Sequence, residues 1–600
     1  MNKLSYIIAS ESLRDNEGQW SAYESKGNCV ILAGPGSGKT KTLTIKMARM
    51  LAEDIKAPRS IACITYNNYC VRELQRRLLD LGVYDGERVV ISTLHSFCLQ
   101  HIVIPYANIS GFPIPDILNV ATTEEQNEFW AIAVARVFGS SENPRDLTFR
   151  RDLYRHTHLD RDKDQWHADD ENISKSIELY EQGLLDSGLI DFDMMIIFGL
   201  MLVEKYDWVR KCLKARFPII VVDEYQDLGF ALHRIVLSLC VKAGIRLVAV
   251  GDPDQSIYGF TGADPSLVQD LAGKPDIERI QLKLNYRCGS AIIRASEIAL
   301  GEYRGFRAGT EESGVLYIHE KPSGFDEQAS FICKTIIPDA IKRREGRRFG
   351  DIAILYRDKY HGDKISMAVE NEGWDFIRID QGNPYIRTPI IFWLEDCAAW
   401  CGGGWEIGNP HLSELVRKWQ NFNYTVTTDA DRRILRHNLV KFLYSHRNTD
   451  QYLRDWLSEF REACLDFSLN REPRLREEVI AISKLAGVCD LGSRLAGFTV
   501  LAFGGQRGTG THLNLMTLHS AKGLEFDVVI LPFLEEGILP NYRAKKEKQM
   551  QEERRLFYVG LTRARHEVHL LYSGWYSTPY GRHINGGESR FITEVRHLIS

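Results

Sequence analysis

The chain has 600 residues, 44% hydrophobic and 26% charged, an ordinary globular balance that excludes collagen-like, low-complexity and wholly disordered classes. Its 75 Lys and Arg against 80 Asp and Glu leave a formal charge of −5, so any polyanion must be held by a local basic groove and not by the mean field. No apolar run approaches the ~18 residues of a membrane span; the longest, residues 194–203, reads as a buried core helix. The first residues, MNKLSYIIASES, lack the pattern of a signal peptide, so the expected compartment is the cytoplasm with no membrane partner. The 12 cysteines are scattered. Neither Cys397 with Cys401 nor Cys98 with His101 finds a second ligand pair, so reduced, mostly buried thiols are expected.

Taken in chain order, the first β-branched run is CVILA (29–33). It leads into GPGSGKT and then a helical stretch over 41–52. Further buried-strand patterns follow at 60–66, 89–93, 218–222 and 246–250, separated by helical segments. Such alternation predicts a parallel sheet with helices on both faces. A second set, beginning near Arg279, includes 352–356, 513–517, 528–532 and 568–572. Two stretches exceed what a βαβ crossover of ~30 residues needs. The one between Phe97 and Asp223 is helical and charged, and its run 150–171 reads as a solvated helix face or hinge. The other, about 382–510, carries Trp, Leu and Arg at helical spacing. The expected fold is therefore α/β, with two tandem P-loop-type parallel-sheet cores, each carrying a mainly helical insertion.

AGPGSGKT (33–40) fits a P-loop, whose backbone N–H groups and following helix N-terminus cradle phosphates. Ala33, Gly34, Gly36, Ser37, Gly38, Lys39, Thr40 and Lys41 are the expected nucleotide-binding residues. Lys39 neutralises the β and γ oxygens, and Thr40 offers its hydroxyl to a magnesium ion. PIIVVDEYQD (218–227) is an apolar strand ending in acids. There Asp223 is placed to hold magnesium and Glu224 to take a proton from an attacking water. An ATPase follows from these two motifs alone, with ATP and Mg2+ as its ligands.

The ordered motifs resemble the UvrD/Rep/PcrA family of superfamily-one DNA helicases from Leu13 to Phe591, most strongly in the two cores. The resemblance implies two RecA-like cores. The first occupies 1–97 and 211–280 with an insertion over 98–210; the second occupies 281–381 and 511–600 with a shortened insertion over 382–510. It implies that Gln19 reads adenine, that Tyr286 stacks on it, and that Glu525 contacts the nucleotide sugar. Gln255 then senses the γ-phosphate, Arg287 binds it, and Arg563 is the arginine finger. DNA contacts are implied at Tyr66 and Asn67 (TYNN), Thr93 and His95 (TLHSF), Tyr258 and Phe260 (SIYGFTGA), and Thr517 and His519 (TLHSAKGLEF). Thr261 stands where the family often has arginine, so one phosphate contact is expected to be missing. WYSTPYGR (575–582) falls where the family carries a strand-separating hairpin, with Tyr580 as candidate wedge.

The implied activity is an ATP-dependent DNA helicase moving 3′→5′ on single-stranded DNA or on a duplex with a 3′ tail, in repair, recombination or replication restart. The alternative is a DNA-stimulated ATPase subunit working with a partner such as a nuclease in an anti-phage defence system. With fewer than ten residues after Phe591, a nuclease domain or C-terminal tail is not expected.

Overall fold

The computed structural model describes residues 3–597 except 66–67, 84–87, 113, 116–118, 162–163, 260–261, 375, 379–384, 386–387, 408–409, 424–425, 427, 450, 470–474, 491–492, 494–496, 505–511 and 579–580. The chain forms two compact units. The first contains residues 1–315, 543–566 and 594–600; the second contains residues 316–542 and 567–593. Among the described residues no helix is long and apolar enough to cross a membrane.

The first unit holds a six-stranded sheet in the order Val89–Thr93, Ile61–Thr65, Ile219–Val222, Arg246–Gly251, Cys29–Ala33, Glu278–Leu282. Every neighbouring pair in it is parallel. The inner strands of a parallel sheet are covered on both faces, so they are mostly apolar, and alternate side chains feed two cores. Ile31, Cys63, Val221 and Val250 enter one core, while Val30, Ile64, Val222 and Ala249 enter the other. The last strand of this sheet corrects the expectation that a second strand set begins near Arg279, because it pairs with Cys29–Ala33. It sits at the edge, where only Ile280 and Leu282 are buried, so it never shows a continuous apolar run.

The helices between residues 94 and 216 pack on one face of that sheet, with Trp130, Trp166 and Tyr180 in the same core as its strands. Helix Phe192–Lys205 is buried over most of its length, as its apolar run predicts. The charge run 150–171 is not simply a solvated face. Arg155 is 1% exposed and bonds Asp191 through both terminal nitrogens, at 2.7 and 2.8 Å. It also lies 2.9 Å from Glu181 and 3.2 Å from Asp193. Burial alone would lower the Arg155 pKa and raise those of the two aspartates. Their mutual attraction wins, so Arg155 is raised and Asp191 and Asp193 are lowered. Asp191 in turn caps helix Phe192–Lys205 by accepting from the Met194 amide at 2.9 Å.

The second unit has a six-stranded sheet in the order Val315–Glu320, Ala564–Tyr572, Phe526–Leu531, Ile352–Tyr356, Leu513–Thr517, Phe376–Arg378. Its pairs Ile352–Tyr356 with Phe526–Leu531, Ile352–Tyr356 with Leu513–Thr517, and Phe376–Arg378 with Leu513–Thr517 are parallel. Helices between residues 389 and 504 build a separate core around Trp393 and Trp419, whose rings stack at 4.8 Å. All cysteines but Cys70 and Cys212 are buried, and none is in a disulfide.

Candidate functional site

Strand Cys29–Ala33 delivers a glycine loop to the start of helix Lys39–Glu53, which has no side-chain cap. Its first amides are therefore available to phosphate oxygens. The loop needs glycine twice. Gly36 and Gly38 have φ of 64° and 79°, in the left-handed region. A Cβ on Gly36 would lie 2.5 Å from the Arg287 Cβ, and one on Gly38 would lie 2.5 Å from Gln19 Nε2. Ser37 closes the loop on itself by donating to the Gly34 carbonyl at 2.7 Å. Lys41 points elsewhere, its Nζ 3.4 Å from the Ser12 carbonyl.

The strand Ile219–Val222 ends in Asp223 and Glu224. Glu224 has φ 52°, a strained left-handed conformation for a side chain with a Cβ, typically costing ~1–3 kcal/mol. Lys39 Nζ lies 3.5 Å from Glu224 Oε1, and Gln226 Nε2 donates to Glu224 Oε2 at 2.6 Å. Gln226 Oε1 accepts from the Asp252 amide at 2.9 Å. Gln255 Nε2 donates to Asp252 Oδ2 at 2.5 Å, and Arg563 donates to Gln255 Oε1 at 3.3 Å. A continuous polar relay thus joins Lys39 and Glu224 to Gln255 and Arg563. Arg287 donates to the Thr562 carbonyl at 3.3 Å, beside Arg563. Asn285 fixes the Arg287 backbone by accepting its amide at 2.8 Å.

Charge in this site is crowded. Burial and then Glu224 push Asp223 up to about 7. Burial, with Asp254 adding to it, takes Asp252 to about 6. Burial pulls Lys39 down, but Glu224, Asp252 and Asp223 outweigh it and the ammonium is raised. Burial and the Arg287 cation lower Arg563 to about 10. Lys39 already offsets the Glu224 carboxylate, and among the described residues no group of three or more His, Cys, Asp or Glu side chains is placed to hold a metal ion; Thr40 and Asp223 are the residues that could contribute oxygens to one.

Gln19 and Tyr286 are joined by a residue that sequence reasoning missed. Asn16 Oδ1 accepts from the Gln19 amide at 3.1 Å, and Asn16 Nδ2 donates to the Tyr286 hydroxyl at 3.0 Å. Gln19 Nε2 donates to the Ser37 carbonyl at 2.8 Å, and the Tyr286 amide donates to the Gly36 carbonyl at 2.8 Å. Two other members of the site, Gln226 and Asp252, were also missed as participants. The signal for Asn16 is its capping position shortly before Gln19; Gln226 lies inside PIIVVDEYQD, and Asp252 stands three residues before Gln255.

Helix Glu547–Leu561 steadies the segment after Gln255. Glu552 accepts from the Gly259 amide at 3.1 Å and Arg555 donates to the Ser256 carbonyl at 2.9 Å. Tyr258 is half-buried there. Thr93 and Thr517 have matching local roles: each hydroxyl accepts from a serine amide three residues on, Ser96 at 3.3 Å and Ser520 at 3.2 Å. His95 packs edge-on against Phe192 at 5.6 Å, and burial lowers its pKa. Burial, then Arg357 and Lys522, lowers His519 to about 4. Glu525 is exposed just before strand Phe526–Leu531, and with Thr517 and His519 it belongs to the second unit. Tyr66, Asn67, Phe260, Thr261 and Tyr580 lie outside the described residues.

Fold and site together define a P-loop nucleoside triphosphatase. Residues 15–276 match the UvrD/REP helicase N-terminal domain, and residues 501–574 match the UvrD-like helicase C-terminal domain, together more than half of the chain. The chain belongs to the UvrD-like helicase family. It is similar to the ATP-dependent DNA helicase PcrA of Bacillus subtilis (strain 168), with 28% identity covering 95% of this chain and 84% of the relative. PcrA of Staphylococcus aureus (strain Mu50) is 25% identical over the same shares. The ATP-dependent DNA helicase Rep of Buchnera aphidicola is 24% identical over 97% of this chain and 98% of its own length.

Proposed function

We propose that this chain is an ATP-dependent DNA helicase that travels 3′→5′ along single-stranded DNA and separates duplexes ahead of it. The observation that carries the reading is the relay from Lys39 and Glu224, 3.5 Å apart, through Gln226 and Asp252 to Gln255 and Arg563. Lys39 holds the β and γ oxygens of ATP, and Gln19 and Tyr286 position its base. Glu224 takes the proton from the attacking water. Its strained backbone and its bond to Gln226 fix the carboxylate before substrate arrives, so little reorganisation is needed in the reaction. Arg287 and Arg563 stabilise the charge spreading over the transferred phosphoryl, an effect worth ~10³ or more in rate for an arginine finger. Thr40 and Asp223 would hold a magnesium ion, which would add to the neutralisation of the triphosphate.

The relay also gives hydrolysis a route to the strand. Gln255 touches Arg563 and stands three residues before Tyr258, so a change at the γ-phosphate position moves the segment that carries Tyr258 and Phe260. Those aromatics, with Tyr66, suit a grip that ignores sequence, because base stacking is worth ~1–3 kcal/mol for any base. Asn67, Thr93, His95, Thr517 and His519 are the polar contacts to the same strand, and Tyr580 is the wedge. Repair, recombination and replication restart are the processes such a motor serves.

The test is ATP turnover by the purified chain with and without single-stranded DNA. Glu224→Gln should keep ATP binding and lose turnover by ~10² or more. Wild-type turnover in that variant would remove Glu224 from the base role.

A further inference from the structure

A groove in the second unit's helical insertion takes no part in the chemistry above. Helices Leu412–Phe422 and Asp429–Ser445 bury Leu415, Trp419, Leu435, Leu439 and Leu443 in the insertion's core. Their other faces border a cavity of about 790 Å³. On the second helix Arg433, Arg436, Val440 and Tyr444 recur at intervals of three and four, so they share one face.

The lining divides into two chemistries. Val416 and Val440 form a half-buried aliphatic floor, and Tyr444, 46% exposed, adds a ring at one end. Arg417, Arg433, Arg436 and His437 line the cavity too, with no Asp or Glu among the lining residues. Lys418, next in sequence to Arg417, shows what these helices do when acids are near: it pairs with Asp396 at 3.2 Å and with Glu414 at 2.7 Å. Among the described residues no hydrogen bond or ion pair engages the side chain of Arg417, Arg433 or Arg436. This concentration of unmatched positive charge sits in a chain whose net charge is −5.

We propose that the groove docks an acidic amphipathic helix of a partner protein. The three basic residues with permanent charge are all arginine, whose planar guanidinium matches carboxylates and sheds water more readily than an ammonium. The aliphatic floor rewards burial of leucine-like side chains at ~25 cal/mol per Å². A nucleic-acid backbone would use the arginines and leave that floor without a partner. From Arg433 to Tyr444 the helix rises ~16 Å, which sets the occupant at about three helical turns. Such an occupant carries apolar residues at i, i+4 and i+7, flanked by glutamate or aspartate.

The test uses the full chain and a fluorescein-labelled peptide of about 14 residues, with leucines at helical spacing flanked by glutamates. Controls are its scrambled sequence, a lysine-for-glutamate version and an unlabelled DNA duplex. The acidic peptide should bind saturably with a Kd below ~100 µM. The double variant R433E/R436E should weaken it at least tenfold, and Val440→Asp should weaken it separately, with unchanged circular dichroism and unchanged DNA-stimulated ATP turnover. Equal binding of the scrambled or lysine peptide overturns the proposal. So does loss of duplex binding in R433E/R436E without any peptide binding by the wild-type chain, which would give the groove to nucleic acid.

Discussion

Asn16 offers a way to separate holding the nucleotide's base from holding the fold. Its side chain is 7% exposed and makes two bonds of different purpose. Oδ1 caps helix Glu17–Glu24 through the Gln19 amide, and Nδ2 holds the hydroxyl of Tyr286, whose ring is 44% exposed. Asn16→Ala removes both. Loss of the cap costs ~1 kcal/mol of stability. If Tyr286 stacks on the nucleotide base as proposed, loss of the bond to it should cost ~1 kcal/mol in nucleotide affinity and raise the KM for ATP by ~5-fold. Asn16→Ser keeps a capping oxygen but is too short to reach Tyr286. Its melting temperature should match the wild type while its KM rises as in Asn16→Ala. In both variants kcat at saturating ATP should stay within about twofold, the signature of lost uniform binding. Thermal melts alongside ATP turnover at saturating single-stranded DNA make the comparison. If Asn16→Ser leaves KM unchanged, Asn16 is a helix cap only, and Tyr286 is not positioned for the nucleotide.

Two further perturbations test the surrounding structure. Arg155→Ala leaves Asp191 buried and uncompensated, which should cost ~3–5 kcal/mol in thermal or urea unfolding. Lowering the pH should shrink that deficit as the carboxylate takes up a proton; a deficit independent of pH would refute the ion-pair account. In the second unit Glu535 is 0% exposed and burial pushes it up to about 7. One oxygen accepts from Gln328 at 2.9 Å and from the Ser573 amide at 2.7 Å, while the other has no hydrogen-bond partner among the described residues. The folded state therefore holds a proton that the unfolded chain has released, and stability falls as pH rises from about 4.5 through about 7. Glu535→Gln removes that slope, so it should gain on the wild type between pH 5 and pH 8 by up to ~3 kcal/mol, read from melts at both values.

The elements most legible in the sequence are those whose environment is uniform along their length. Cys29–Ala33 and Ile352–Tyr356 lie inside their sheets, are buried at all positions or all but one, and each appears as an unbroken apolar run with the expected ends. Glu278–Leu282, near which the second strand set is expected to begin, is instead the edge strand of the first sheet, because the alternating ERIQL carries no mark of its partner Cys29–Ala33. The loop at 33–40 and the strand ending at Asp223 were legible because phosphate and metal chemistry restrict residue type at fixed spacing. Asn16, Gln226 and Asp252 were not, because their importance lies in partners far away in sequence: Tyr286 for Asn16, and Asp252 for Gln226. Arg155 was misread for the same reason. A charge run carries no mark of which cation finds its carboxylates in a later helix start, here Asp191 and Asp193.

In the proposed function, ATP turnover at the Lys39–Glu224 site drives strand separation in one direction. Its most direct measurement is strand displacement by the purified chain alone on two duplexes that differ only in carrying a 3′ or a 5′ single-stranded tail. Displacement is expected from the 3′-tailed duplex, dependent on ATP and abolished by Lys39→Ala, with little from the 5′-tailed one. Displacement only from the 5′-tailed duplex, or DNA-stimulated turnover with no displacement from either, would contradict that function.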